Sequence, residues 1–267
     1  MNNIDFATGN DSDLKRIQEL RRNILIASSN AGEGHIPSAF SILEILYALY
    51  VILPRSVSDN QELGFEFILS KGHGCLALYA VLEEANLIDQ DWVSEFCKPM
   101  SNFGGHPDKV KIPSISSSTG SLGHGLPLAV GKAIANRLLG RNQRIYCLVG
   151  DGELNEGSIW ESLLLSENFN LKELCLIVDF NESTSRSIEI PNLSTKLKGF
   201  SFEVVEVDGH DLSELQKALT SHAQNGPIAI IAKTTKGKGL SVMENTFAWH
   251  HRSPEASELN AFLEGIK

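Results

Sequence analysis

Val149-Gly150-Asp151-Gly152-Glu153-Leu154-Asn155-Glu156-Gly157-Ser158-Ile159-Trp160-Glu161-Ser162 is the stretch whose reading decides the fold. The apolar run Ile145 to Val149 leads into it and reads as a buried strand. Gly150 and Gly152 flank Asp151 and let the backbone turn sharply at that strand's end. Ile159, Trp160, Leu163 and Leu164 then recur at helical spacing. Leu174 to Val178 is a second strand-like run, and Asp179 and Asn181 are expected just beyond it. Strand, turn, helix and strand in this order predict an α/β fold with an open, mostly parallel sheet flanked by helices. In such sheets ligands bind beyond the carboxyl ends of the strands, and here two strand ends present oxygen side chains beside a helix start.

That arrangement suits a hard cation bridging a diphosphate. Mg²⁺ prefers oxygen ligands, taking one or two from side chains and the rest from phosphate and water. Asp151 offers a carboxylate and Asn181 an amide oxygen. A glycine at 152 admits a phosphate close to the backbone N–H, and a following helix N-terminus favours negative charge. Asp-Gly alone is also a common turn; the second oxygen donor, one strand later, moves the reading toward a ligand site.

G-D-G-E-L-N-E-G-S-I-W-E followed by V-D-F-N resembles the thiamine diphosphate motif of transketolases. The likeness runs from the helix near Leu14 to the tail helix. It covers only the N-terminal, diphosphate-binding half of a single-chain transketolase. It implies a magnesium site made by Asp151, Asn181 and the carbonyl of Ser183. It places His73, Gly120, Leu122, Gly123, Gly150, Asp151, Gly152, Glu153, Asn181, Ser183 and His250 along thiamine diphosphate. It makes His35, His106 and His250 the catalytic histidines near substrate and reacting carbon, and puts Glu156 and Glu161 at a subunit interface. The segments that carry it are A-G-E-G-H-I-P-S (31–38), S-K-G-H-G (70–74), N-F-G-G-H-P-D (102–108), S-T-G-S-L-G-H-G-L-P (118–127) and F-A-W-H-H-R (247–252). Without the resemblance, His35 reads as surface-polar, Lys71 as a loop salt bridge beside a solvated His73, and Glu156 as a carboxylate in a first helical turn. The chain departs from the family at Ile36-Pro37-Ser38, at His124 and at Ser183 to Ser187; His251 receives no role.

Length and composition bound the rest. The 267 residues read as a single pyrophosphate-binding domain with a helical tail from about Ser253; hydrophobic residues are 42% and charged residues 21%, as in soluble globular proteins. A net charge of −10 argues against a nucleic-acid binder or an acidic-membrane binder. No apolar run approaches the ~20 residues that span a bilayer. The polar start M-N-N-I-D-F-A-T-G-N-D reads as a loose arm and not as a targeting signal. The cysteines Cys75, Cys97, Cys147 and Cys175 lack C-x-x-C spacing. A reduced, cytoplasmic setting is expected.

In chain order, apolar spacing predicts a helix over 13–28, a helix capped by Ser38, a strand over 65–69 and a helix after His73. A short helix follows over 89–96, then one with Pro127 in its first turn. Residues 182–194 read as a polar active-site loop. A strand pattern then closes in Gly209-His210, Asp211 with Glu214 starts a helix, and 227–232 reads as a last buried strand. T-T-K-G-K-G (234–239) precedes the final histidines and an amphipathic tail helix.

The resemblance further implies the chemistry. A two-carbon ketol unit passes from a ketose to an aldose, with the cofactor carrying the hard step and neutral-range histidines sharing protons. The family's cofactor-activating glutamate belongs to a pyrimidine domain with no counterpart here. The expectation is the N-terminal subunit of a split transketolase, a heterotetramer of two copies each of two chains (α2β2), inactive alone. Sugars or sugar phosphates are the expected substrates. A thiamine-dependent 2-oxoacid decarboxylase or acyl transferase subunit, and a non-catalytic module keeping the fold, are the alternatives. No G-x-G-x-x-G follows a strand with an acid about 20 residues on, so a nicotinamide site is disfavoured.

Overall fold

The computed structural model describes residues 11–55, 64–89, 91–186, 188–221 and 225–267. The expected N-terminal arm and Ser187 lie outside the described residues. Among the described residues, five strands form one parallel sheet: β1 (Phe65–Leu69), β2 (Arg144–Gly150), β3 (Leu174–Phe180), β4 (Glu203–Asp208) and β5 (Ile228–Lys233), in the order β1-β2-β3-β5-β4. The helices are α1 (Asp11–Ala31), α2 (Ile36–Tyr47), α3 (Leu53–Arg55), α4 (Cys75–Glu84), α5 (Trp92–Glu95), α6 (Gly125–Leu138), α7 (Gly157–Asn168), α8 (Leu193–Gly199), α9 (Leu212–Thr220) and α10 (Ala256–Gly265).

The strands explain the layers. β2 and β3 are apolar at nearly every position and buried on both faces, as parallel strands covered by helices on each side must be. Phe67, Tyr146, Leu148, Ile177 and Ile230 join α1, α2, α4 and α9 in one core, against which the α10 residues Leu259, Phe262 and Leu263 also pack. Ile68, Cys147, Val149, Leu176, Val178 and Ile231 join α6, α7 and α8 in the other. Each such Leu or Ile contributes ~1.5–3 kcal/mol on burial. β4, at the sheet edge, is E-V-V-E-V-D and mostly uncovered, a charged edge that resists further pairing.

Strand order sets where the site lies. β2 reaches β3 through α7 on one face, whereas β4 returns to β5 through α9 on the other. The chain leaving β3 goes toward α8, while the chain leaving β5 turns toward α1 and α2, with Gly237 N–H donating to Pro37 O at 3.0 Å and Arg21 Nε to Lys238 O at 2.9 Å. Neighbouring strands whose exits part this way open a crevice at their carboxyl ends.

Several elements differ from expectation. α1 is longer than 13–28, and α2 begins at Ile36, so Ser38 lies inside the first turn and caps nothing. Pro37, with its fixed φ and missing N–H, starts the helix instead. β3 runs on to Phe180, so Asp179 sits within the strand, paired opposite Ala232 of β5. A 3₁₀ turn, Asp151–Asn155, separates β2 from α7. Gly152 therefore lies in that turn and not at the helix N-terminus, and Glu156 is the exposed residue before α7, making no capping bond. α8 begins inside the span read as loop. Asp211 does cap α9, accepting from Ser213 N at 2.8 Å and Glu214 N at 2.9 Å.

Candidate active site

The end of β2 and the end of β3 meet as the sequence spacing implied, since Gly150 stands opposite Asp179 in the register. Asp151 is buried, at 3% exposure. Its Oδ1 accepts from Gly152 N–H and from the Ser183 hydroxyl, both at 2.8 Å. Its Oδ2 is buried with no partner. Asn181 Oδ1 accepts the Ser183 N–H at 3.1 Å, so Ser183 bridges the two oxygen donors. Among the described residues no group of three His, Cys, Asp or Glu could hold a metal. The donor set is one carboxylate, one amide and backbone, the hard-oxygen kind suited to magnesium with phosphate and water. A buried, unpartnered carboxylate oxygen is costly alone, and a cation offsets that cost. The residues therefore fit the ion.

Asp179, fully buried, organises the floor. Its carboxylate accepts from Ser41 Oγ at 2.7 Å, Asn181 Nδ2 at 2.9 Å, the Thr234 hydroxyl and the Lys71 ammonium. Lys71 is thus not a loop salt bridge but a buried ion pair reaching from β1 to β3. Asn181 Nδ2 also donates to Ser41 Oγ at 3.0 Å, which fixes its amide oxygen toward Ser183.

Glu153 ties three loops together. It accepts from Ser70 Oγ at 2.6 Å and Gly123 N at 2.9 Å on one oxygen, and from Gly150 N at 2.9 Å on the other. Burial raises its carboxyl above the usual range, against these donors. With both oxygens engaged, Glu153 shapes the backbone around the site. Gly123 is required where it stands: φ is +74° and a Cβ would fall 2.5 Å from that of Glu156. A Cβ at Gly120 would come within 3.2 Å of the His106 ring. Leu122 is half-exposed, and its carbonyl meets His124 Nδ1 at 2.8 Å, so the His124 ring turns back onto its own loop.

Three of the four histidines singled out from the sequence converge in ring contact. His35 has its ring centroid 5.2 Å from His73 and 5.4 Å from His250. His251, which sequence reading left without a role, lies closer still, 4.4 Å from His35. His106 sits on a loop anchored by Tyr79, whose hydroxyl donates to Gly104 O at 2.9 Å and His106 O at 3.1 Å. Its ring packs on Gly120 and not in that contact group.

A cleft of about 570 Å³ opens between β3 and β5, walled by Phe180, Asn181 and Ser183 on one side and Thr234, Lys236 and His250 on the other. Lys236 is the residue that sequence reading passed over. Its Nζ lies 3.0 Å from His250 Nδ1. The available signal was position: a lysine just past a strand end, on the same edge as Asn181, in a glycine-punctuated stretch.

Burial, more than any neighbour, lowers the basicity of this group. His35 is pushed down to about 4 by desolvation and then by His251, His250, His106 and Lys236. His73 is held well below its ordinary value by burial, with Lys71 next. His106 and His250 shift the same way, also through burial first, and Lys236 falls to about 8. Asp179 and Asp151 offset only part of the shift at Lys236, so these crowded donors are ready for an anion, which would restore their basicity. Without one, the unfolded chain binds more protons than the folded chain between pH 6.5 and about 4. Stability is then lost as pH falls through that window. His35→Asn should lose less stability than wild type between about pH 7 and 5 in thermal melts, and parallel curves would refute the shift.

The family model described as "Transketolase, thiamine diphosphate binding domain" matches residues 13–264. The chain is 39% identical over 263 residues to a protein of Actinobacillus succinogenes named as a subunit of apulose-4-phosphate transketolase, covering 95% of each. It is 32% identical to the protein of the same name from Phocaeicola vulgatus, covering 89% of this chain and 88% of that one. Transketolase from Leishmania mexicana superposes with a TM-score of 0.82 at 28% identity, over 95% of this chain. The chain spans 40% of that structure's length.

Proposed function

The chain belongs to the transketolase family, and on that premise we propose that it is the thiamine diphosphate-binding subunit of a two-chain transketolase. The reaction moves a two-carbon ketol unit from a ketose to an aldose. The observation that carries the reading is the buried, unpartnered Asp151 Oδ2, joined through Ser183 to Asn181, with Ser183 and Asn181 lining the cleft that His250 borders. Asp151, Asn181 and the Ser183 carbonyl hold Mg²⁺. His73, Lys236 and His250 would receive the diphosphate, and the Gly152 N–H would join them by leaving Asp151 Oδ1. Bound thiamine diphosphate supplies the nucleophilic carbon. His35, His106 and His250 hydrogen-bond substrate hydroxyls and carbonyl oxygen; they are neutral in the unliganded chain, and a bound anion raises their basicity toward the range in which an imidazole both donates and accepts a proton.

A second chain completes the site. Relatives of matching length are named as subunits, whereas the solved transketolase is far longer. α7 supports a contact surface: Glu161, Leu164 and Leu165 share one exposed face, with the leucines 56% and 47% exposed. Glu156 stands exposed at the start of that helix. We place the two glutamates at this interface in an α2β2 assembly.

The test mixes the chain with a separate pyrimidine-domain transketolase chain, with Mg²⁺, thiamine diphosphate and a panel of ketose phosphates. Apulose 4-phosphate is the first to try, because the matching relatives are named for it. Ketol transfer by the pair and by neither chain alone is the expected result. Carbon dioxide released from a 2-oxoacid without ketol transfer would select the decarboxylase alternative. A competent partner with no activity on any substrate would leave a non-catalytic module.

A further inference from the structure

Outside the cleft, Arg21 and Glu44 are 3% and 5% exposed and form a buried ion pair between α1 and α2. Glu44's second carboxylate oxygen lies 3.2 Å from His210 Nδ1. The other ring nitrogen, His210 Nε2, accepts the Thr235 N–H at 2.8 Å. An imidazole that accepts at Nε2 carries its proton on Nδ1, the nitrogen facing Glu44. The Thr235 N–H therefore sets the tautomer, and the Glu44 carboxylate stands 3.2 Å from the protonated nitrogen, a close contact without hydrogen-bond geometry. Burying such a set is expensive and contributes little net stability, which directs attention to what it holds.

It holds the turn after β5. Thr235 is fixed by His210, Lys238 O by Arg21 Nε at 2.9 Å, and Gly237 N by Pro37 O at 3.0 Å. At Gly239, φ is +89° and a Cβ would fall 2.7 Å from Arg21 Nε, so the turn is pressed against the guanidinium. Between those anchors, Lys236 projects into the cleft and meets His250.

We propose that His210, bonded to the Thr235 N–H and set beside Glu44, is a positioning residue that aims Lys236 and His250 at the anionic end of the ligand. The identity of that ligand rests on the functional reading above. His210 lies on the edge strand's exit loop and is not among the residues that line the cleft. His210→Phe keeps the ring shape and deletes the acceptor. His210→Gln keeps an acceptor for Thr235 N–H and a donor toward Glu44.

Two readouts on the full chain test this. Hydrogen exchange at Thr235 and Lys236 reports the turn. Titration with thiamine diphosphate and Mg²⁺, in the presence of the partner chain, reports the ligand. The Phe variant should exchange about 10-fold faster at these amides and need about 10-fold more thiamine diphosphate, the scale of loss seen when an outer orienting group is removed. The Gln variant should restore both to within about 3-fold of wild type, on the same scale. A folded Phe variant with wild-type exchange overturns the proposal, as does faster exchange with unchanged ligand affinity, or a Gln variant as impaired as Phe. Should the Phe variant not fold, His210→Asn, too short to span both partners, takes its place with the same expectations. Wild-type chain that binds no thiamine diphosphate with its partner refutes the functional reading, and unchanged exchange in the variants then separately refutes the positioning of the turn.

Discussion

Asp151→Ala should leave the chain folded and abolish the magnesium-dependent affinity for thiamine diphosphate that the proposed metal set implies. The carboxylate is buried, and one of its oxygens has no partner. In the chain alone that oxygen is a liability, so its removal offsets part of what the substitution loses. The losses are the bonds from Gly152 N and Ser183 Oγ, at ~0.5–1.5 kcal/mol each. The melting temperature should therefore move by only a few degrees. The ligand tells the other half. Asp151 is the one carboxylate of the proposed metal set, and Asn181 and the Ser183 carbonyl are neutral. Without it, affinity in the assembled enzyme should fall by about 100-fold or more, at 1.4 kcal/mol per decade. Asp151→Asn should keep the Oδ1 acceptor role and show the same loss of binding. Titration calorimetry with and without magnesium, beside a thermal melt, measures both; wild-type affinity in a folded Ala variant would end the metal assignment.

Sequence alone located what depends on local pattern. β1 was legible at both ends because Phe65 to Leu69 is an apolar run closed by Ser70-Lys71-Gly72. β2 and β3 were legible because strands buried on both faces read as continuous apolar runs. Asp151 and Asn181 were legible because each follows such a run directly, and the register then brings them together. β3's true end was not. Asp179 is charged, and a charge ordinarily ends a buried run. It remains inside the strand because four donors meet it there, from Ser41, Lys71, Thr234 and Asn181. Those donors come from four separate segments, and no window of sequence contains them together. Lys236 was hidden for the same reason, since its aim depends on a turn held by His210, Arg21 and Pro37. Ser38 was misleading because a serine before an apolar helix is a common cap, while Pro37 had already begun the helix. Glu153 shows a further gap: G-D-G-E marks the motif, yet only the fold reveals that this acid ties Ser70, Gly123 and Gly150 to one another.

The same long-range convergence makes Asp179 the most sensitive position for stability. Asp179→Ala leaves the Lys71 ammonium, at 2% exposure, without its counter-charge. It also strips an acceptor from Ser41 Oγ, Thr234 Oγ and Asn181 Nδ2. Breaking a buried ion pair from one side costs ~3–5 kcal/mol, and orphaned donors add to it. Lys71→Met should cost less, because Asp179 keeps two hydroxyls and an amide donating to it. That asymmetry is specific to this arrangement and runs against a simple pair picture, in which either deletion is equal. The double variant Lys71→Met/Asp179→Asn removes both charges and keeps an acceptor for the hydroxyls. It should be more stable than Asp179→Asn alone, which leaves the Lys71 charge unpaired, giving a coupling of about 1–3 kcal/mol, within the range for contacting residues. Urea unfolding of wild type, Lys71→Met, Asp179→Asn and the double variant measures the cycle, with Asp179→Ala beside it. A cost below about 1 kcal/mol for Asp179→Ala, the size of an ordinary surface-adjacent change, or a Lys71→Met variant less stable than Asp179→Ala, would show that the carboxylate is not the hub of this floor. The consequence reaches the cleft, because Asp179 and Ser41 together fix the Asn181 amide; once Asp179 is removed, the oxygen aimed at Ser183 is free to turn away from Asp151.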